Sequence, residues 1–167
     1  ENAYFHHAGN PVEPTLNYLS TEDWNITEEP GEEEGIPSTI KNMFDMNFST
    51  NWAPTTQAAW REHIITLSRS EKKTVHGIRL VQPSFATNGF VNSKLSPTVV
   101  KIQVSENGYD WENATYLEEN TLGTTSREAT IIHFPEPKDI LMIRFIFNDQ
   151  AQSSSNMGVV VSEISLF

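Results

Sequence analysis

Short segments of β-forming residues follow one another from Ile64 to the end of the chain, and they constrain the fold more than any other feature. They lie at residues 64–67, 77–81, 99–104, 130–134, 141–147 and 159–164, and all are rich in β-branched or aromatic side chains. Residues 24–27 alternate in polarity and predict an earlier strand. Asn107-Gly108 is a favoured tight-turn pair, which predicts a hairpin between Val104 and Trp111. No window keeps helical spacing over about ten residues, so the pattern predicts an all-β sandwich.

Length and composition fit one globular domain. The chain has 167 residues, of which 37% are hydrophobic and 10% aromatic, enough to bury a proper core. No apolar run reaches the length of a membrane span, so we expect no membrane insertion. The chain starts abruptly at Glu1 without a signal peptide, and we expect an excised piece of a longer protein. The absence of cysteine excludes a disulfide framework, thiol catalysis and a cysteine-ligated zinc site.

The negative charge is concentrated near the start. The net charge is −11, and residues 1–40 hold nine of the 22 acidic residues and no lysine or arginine. So acidic a chain repels nucleic acid and anionic membranes, and neither is expected as a partner. We predict that residues 1–19 are a linker or the tail of a preceding domain and that residues 20–167 form the sandwich. The glutamates at positions 28–34, around a Pro-Gly pair, predict an exposed, solvated loop.

Residues 45–52 interleave oxygen-bearing side chains with aromatic ones. Asp45, Asn47 and Thr50 stand at a spacing that allows a loop to wrap around a hard cation, which takes oxygen ligands from side chains and backbone. The same residues also form Asx and ST turns, in which they hydrogen-bond their own backbone. The spacing by itself leaves both readings open.

The segment Phe44-Asp45-x-Asn47-x-Ser49-Thr50-x-Trp52 resembles the F-D-G-N-x-x-T-x-W loop of discoidin domains, the coagulation-factor type C family. Five further segments resemble that family's motifs in the same order, at residues 60–67, 74–80, 99–111, 144–147 and 161–167. The last of these is similar to the closing l-x-E-i-x-v-y strand. The resemblance covers about residues 36–167 and implies a jelly-roll β-sandwich of the galactose-binding-like type. The lack of a disulfide points to the bacterial, glycan-binding branch.

The resemblance implies a structural calcium ion that joins this loop to the last strand. The ligands carried over are Asn42 or Met43 through the backbone, Asp45, Asn47, Thr50 and Glu163. Met46 stands where the family has glycine. Glu163 interrupts an apolar strand, where a charge needs a partner; the alternative is that β alternation turns it to solvent.

A sugar site is predicted in the loops at one end of the sandwich. The candidates combine aromatic and amide side chains from residues 82–96 and from the later polar loop: Gln82, Phe85, Asn88, Phe90, Asn92 and Asn156. Phe85 and Phe90 could instead fold back on the core. Sugar-binding members often have an arginine just after the proline of this strand end, and Ser84 occupies that position here.

These features predict a non-catalytic carbohydrate-binding module. No hydrolase, zinc-protease or phosphate-binding motif is present. We expect a monomeric module of a secreted, periplasmic or surface glycan-processing protein, such as a chitobiase-type glycoside hydrolase, with the catalytic domain in the same polypeptide. Its ligand would be a galactoside or an N-acetylhexosamine glycan. The alternative is a structural spacer or protein-interaction domain that binds no sugar.

Overall fold

The computed structural model describes residues 16–31, 35–55, 62–85, 95–148 and 159–167. Seven strands and one 3-10 helix follow in chain order: β1 (Asn25–Glu29), the 3-10 helix (Ile40–Phe44), β2 (Glu62–Val81), β3 (Val99–Ser105), β4 (Glu112–Asn113), β5 (Asn120–Thr121), β6 (Ala129–Asn148) and β7 (Glu163–Leu166). Within these ranges no helix has the length and hydrophobicity that crossing a bilayer requires.

Two long strands organise the fold. β2 and β6 have 20 residues each and pair antiparallel from Glu62↔Asn148 to Val81↔Ala129. The sequence predicts two short strands in each of these regions, and the structure joins each pair into one. The polar residues in the middle of β2 suggest a loop because they bury no side chain, but their backbone keeps the strand conformation.

Irregular pairing divides this long ladder into two halves. The register shifts between Ser68 and Lys73 and again between Val75 and Gly77. The first half of β2 pairs with β1, and the partner half of β6 pairs with β3. The second half of β2 pairs with β7 instead. Since apolar side chains of both halves belong to one core cluster, the predicted β-sandwich is confirmed.

The core follows the alternation of the strands. Ile65, Leu67, Phe145 and Phe147 point inward and are fully buried, while the residues between them are less so. Trp52 is also fully buried, and it exchanges two backbone hydrogen bonds with Val161, at 2.8 and 3.1 Å. These bonds fix the polar loop of residues 45–50 against the segment that leads into β7.

The predicted hairpin at Asn107-Gly108 is confirmed, because Val104 pairs with Glu112 and Gly108 takes a φ of +85°. The last predicted strand is shorter than expected. It was predicted over residues 159–164, but β7 begins only at Glu163. Of residues 159–162, Val161 alone pairs, in an isolated bridge to Trp52.

The prediction of a solvated glutamate loop is wrong for its first two members. Glu29 is exposed as predicted, but it is the last residue of strand β1 and not part of a loop. Glu28 lies in β1 and is half-buried, and its carboxylate accepts hydrogen bonds from Trp52 Nε1, at 2.8 Å, and from Ser38 Oγ. The buried indole N–H requires an acceptor, which explains a carboxylate at this place. Residues 32–34 lie outside the described residues.

Candidate functional site

The loop of residues 45–50 contains the predicted Asx turns. Asp45 Oδ1 accepts a hydrogen bond of 2.8 Å from the Asn47 amide, and Asn47 Oδ1 accepts one of 3.0 Å from the Ser49 amide. Met46, at the family's glycine position, has a φ of +57°. This left-handed conformation explains why glycine suits the position, and the methionine adopts it with its side chain largely exposed.

The Thr50 hydroxyl lies at the centre of several oxygen atoms. Its Oγ1 is 2.7 Å from Asp45 Oδ2, 2.9 Å from the Asn47 carbonyl and 3.4 Å from the Asn42 carbonyl. A hydroxyl has one hydrogen to donate, so it can satisfy only one of these three acceptors at a time. The Asn47 carbonyl also accepts a 3.1 Å hydrogen bond from the Thr50 amide. Carboxylate, hydroxyl and carbonyl oxygens are the ligands that calcium prefers.

Glu163 is fully buried, which contradicts the alternative that it faces solvent. Neither carboxyl oxygen has a hydrogen-bond partner among the described residues. The Met46 amide and the Asp45 carboxyl approach it closely enough to affect its pKa, but neither makes a hydrogen bond of good geometry. Burial raises the pKa of Glu163 from 4.5 to about 8; the Asp45 carboxyl adds to the rise, and the Met46 amide and Arg79 oppose it.

A cavity of about 200 Å³ lies at this carboxyl, and Asp45, Met46 and Glu163 are among its lining residues. A buried carboxyl with unsatisfied oxygens is costly unless something pairs with it. The described residues contain no cluster of three or more His, Cys, Asp or Glu side chains. A hard cation here would have only the two carboxylates of Asp45 and Glu163, with hydroxyl and carbonyl oxygens as its other ligands.

Ser162 is a residue of this region that the sequence interpretation missed. Its Oγ lies 3.1 Å from both the Phe48 and the Thr50 carbonyls, and the side chain is fully buried. It therefore connects the loop to the chain just before β7. A serine directly after three valines and beside Glu163 was the available signal. Met43, one of the two backbone ligands considered, has a fully buried side chain in the 3-10 helix.

The predicted sugar-binding residues divide into three groups. Gln82 is fully buried, and its Nε2 donates hydrogen bonds of 2.9 Å to the Pro97 and Gly123 carbonyls. It is an internal anchor of its loop and not part of the exposed surface. Phe85 is half-buried at the edge of the loop. The other four candidates lie outside the described residues: Asn88, Phe90, Asn92 and Asn156.

The bases of the predicted sugar loops are held together. The Val160 amide donates a 3.0 Å hydrogen bond to the Leu95 carbonyl, which joins the end of the 82–96 loop to the end of the later polar loop. A third loop also lies here. Its Arg127 amide donates to the Pro83 carbonyl at 3.1 Å, and its Ser126 hydroxyl accepts from the Phe85 amide at 2.9 Å.

Arg127 was not predicted. It is exposed, has a φ of +60° and makes no side-chain hydrogen bond or ion pair with the described residues. Sequence separation from Ser84 concealed its position, because only the pairing of β2 with β6 brings the two loops together.

Solved structures share this architecture over almost the whole chain. CpGH89CBM32-5 from Clostridium perfringens, in complex with GalNAc-β-1,3-galactose, superposes with a TM-score of 0.66 at 14% identity, over 90% of this chain and 99% of that one. The family 32 carbohydrate-binding module of C. perfringens NanJ, in complex with galactose, gives 0.63 at 15% identity, over 89% and 96%. This chain has the fold of the CBM32 modules.

The C-terminal domain of a chitobiase from Bacteroides fragilis has the same fold, with a TM-score of 0.65 at 18% identity over 90% of this chain and 97% of that domain. No family model and no curated protein sequence matches the chain. The likeness to CBM32 modules confirms the expected discoidin-like fold.

Proposed function

We propose that this protein is a non-catalytic carbohydrate-binding module of a secreted or surface glycan-processing enzyme. The observation that carries the proposal is the hydrogen bond between Val160 and Leu95, which brings the bases of two polar loops together at one end of a CBM32 fold. Ligands bind at loop ends that a rigid scaffold positions. The sugars expected are galactosides or N-acetylhexosamine glycans, the class seen with the CBM32 structures.

Such a module acts through effective concentration. A weak sugar site in the same polypeptide as a catalytic domain keeps that domain near its polymer, and linkage alone raises the apparent affinity for a multivalent surface. Glycan binding by this chain therefore requires neither high affinity nor a catalytic group.

Arg127 replaces the arginine that is missing at Ser84. Its backbone bond to Pro83 places it at the start of the 82–96 loop, and its guanidinium is unpaired among the described residues. A guanidinium presents several N–H donors in a fixed plane, which suits neighbouring sugar hydroxyls.

Calcium has a structural role in this proposal. The supporting observations are the unpartnered, buried carboxyl of Glu163 and the oxygen atoms around Thr50. The side chains of Asp45, Thr50 and Glu163 would hold the ion, together with the carbonyls of Asn42 and Asn47. A bound cation would keep Glu163 ionised and connect the loop to β7, which stabilises the fold by linkage.

A glycan array in calcium-containing buffer, with galactosides, N-acetylhexosamines and mucin sugars, tests the proposal. We expect hits from one related group of sugars and a loss of about tenfold or more in affinity for Arg127→Ala. Arg127→Lys should retain part of the binding. Lys101→Ala, on the outer face of β3, is the matched control and should bind like the wild type.

A blank array on folded protein would instead support a spacer or protein-interaction domain. Two observations favour that alternative: Ser84 lacks the usual arginine, and Gln82 is buried. Unchanged glycan binding by Arg127→Ala would show that Arg127 does not contact the sugar, and it would leave the proposal of glycan binding itself intact.

A further inference from the structure

A second cleft lies at the other end of β7, four residues away from Glu163 along the chain. It has a volume of about 590 Å³ and lies between residues 16–19 and the middle of β2. This volume is within the range of small-molecule sites. Since β7 begins beside Val81 and ends beside Ile78, the cleft is separate from the sugar loops that follow Val81.

The fold holds the walls of this cleft in place. The Leu19 amide donates a 2.8 Å hydrogen bond to the Leu166 carbonyl, which fixes the incoming segment along β7. On the other side the Phe167 ring packs directly on Gly77, where a Cβ would come within 2.5 Å of ring carbon Cζ. The Phe167 amide and carbonyl are both hydrogen-bonded to β2. The apolar walls therefore exist before any ligand arrives.

Cationic and polar groups of β2 line the cleft. In a regular strand the neighbours Lys72 and Lys73 would point to opposite faces, but the register shift that ends at Lys73 interrupts the alternation, and both line the cleft. Both are exposed, and neither forms an ion pair or side-chain hydrogen bond with the described residues. His76 and Asn17 add further polar groups.

The charge of the cleft is opposite to that of the chain. The net charge is −11, yet the lining contains two lysines against one acidic residue, Asp139. Two unneutralised ammonium groups at adjacent positions attract an anion, and the apolar walls of Leu19 and Phe167 suit the C–H faces of a sugar ring. Asn17 can bond to hydroxyl groups.

We propose that this cleft binds an acidic sugar, whose carboxylate or sulfate group pairs with Lys72 and Lys73 while its ring lies between Leu19 and Phe167. The site is additional to the loop site proposed above and does not depend on it. A module with both sites would select glycans that carry acidic as well as neutral sugars. Simultaneous binding at the two sites raises the overall affinity for such a polymer.

NMR titration of the full chain tests this site. The probes are galacturonic acid and N-acetylneuraminic acid for the carboxylate, galactose 6-sulfate for the sulfate, and galactose and inorganic sulfate as controls. We expect an acidic sugar to shift the amide signals of residues 72–76 and its affinity to fall several-fold between about 50 and about 300 mM salt. Lys72→Ala/Lys73→Ala should weaken this binding by about tenfold or more.

Lys41→Ala/Lys101→Ala is the matched control, because it removes the same charge elsewhere and should change the affinity less than about twofold. Four outcomes would overturn the proposal: no shifts at residues 72–76 with any acidic sugar, equal shifts with galactose, equal affinity for inorganic sulfate, which means an adventitious ion only, or equal losses in the two double variants. Neutral sugars at the loop site should bind normally to Lys72→Ala/Lys73→Ala. The titration can therefore refute the acidic-sugar cleft without refuting the loop site, and the glycan array can refute the loop site without refuting the cleft.

Discussion

The two ends of β7 differ in whether their ionisable side chains are buried or exposed to water. At its start the Glu163 carboxyl is fully buried, with both oxygens unsatisfied among the described residues. Beyond its end, the cleft at Phe167 has its lysines exposed to water. A buried charge affects the free energy of unfolding strongly, because desolvation is costly, whereas water stabilises an exposed charge almost as well as a partner does. Substitution of the charged residue at the first end should therefore change stability, whereas substitution of the lysines at the second end should change only binding.

The largest expected effect is a pH dependence of stability in a chelating buffer. The pKa of Glu163 is about 8 in the folded protein against 4.5 as its ordinary value. The folded state thus holds a proton that the unfolded chain has released, and stability falls as the pH rises through this window. We expect the free energy of unfolding in urea to drop by about 3–4 kcal/mol between about pH 5 and about pH 8. Glu163→Gln should remove most of this drop, and an equal drop in that variant would contradict the assignment.

The next effect is stabilisation by calcium. At a free calcium concentration about a hundredfold above the dissociation constant, the wild type should gain about 2.7 kcal/mol, measured as a rise in melting temperature over chelator. Glu163→Gln should gain far less. Asp139→Asn changes an exposed carboxylate at the other end and should respond like the wild type. No calcium response in the wild type would refute the cation site.

Gly77→Ala tests whether the close packing of the Phe167 ring on β2, at the second end, contributes to stability. The added Cβ would lie 2.3 Å from the Ile132 carbonyl oxygen and 2.5 Å from Phe167 Cζ. Overpacking of this kind should cost about 2 kcal/mol in urea denaturation. Gly31→Ala is the control, since a Cβ there meets none of the described residues closer than 4.0 Å. Equal stability of the two variants would show that the close packing of Phe167 on β2 does not contribute to the stability of the fold.

Ser162→Ala should show how firmly the cation loop is attached to the chain before β7. The hydroxyl faces two carbonyls at 3.1 Å, and its loss leaves them without this donor. We expect a loss of about 1–2 kcal/mol by chemical denaturation. Ser165→Ala removes a hydroxyl whose one hydrogen-bond contact among the described residues is the Met46 sulfur at 3.4 Å, so it should cost about 0.5 kcal/mol or less. A reversed order would contradict the role given to Ser162.

The smallest effect belongs to the cleft. Lys72→Ala/Lys73→Ala should leave the free energy of unfolding within about 0.5 kcal/mol of the wild type, because both side chains are exposed and unpaired among the described residues. A larger loss in the same denaturation experiment would show that the lysines have a structural role, and the contrast between the two ends of β7 would fail.

The sequence by itself determined the fold class and much of the cation loop. Alternating β-forming segments require a sandwich, because only burial between two layers satisfies them. The spacing of Asp45 and Thr50 is local, so their hydrogen bond could be predicted as a turn or a cation loop from residues a few positions apart. Which of the two applies depends on the distant Glu163, and the resemblance to discoidin domains named that residue.

Only the tertiary structure decided which side chains are buried and which distant residues come into contact. Gln82 looked like a surface amide, but the Pro97 and Gly123 carbonyls take its hydrogen bonds inside the fold. Glu163 could have faced solvent by alternation, yet the loop closes over it and raises its pKa. The register shift that brings Lys72 and Lys73 to one cleft leaves no local signal. Desolvation and ladder register arise from contacts between residues far apart in the chain, and local patterns do not record them.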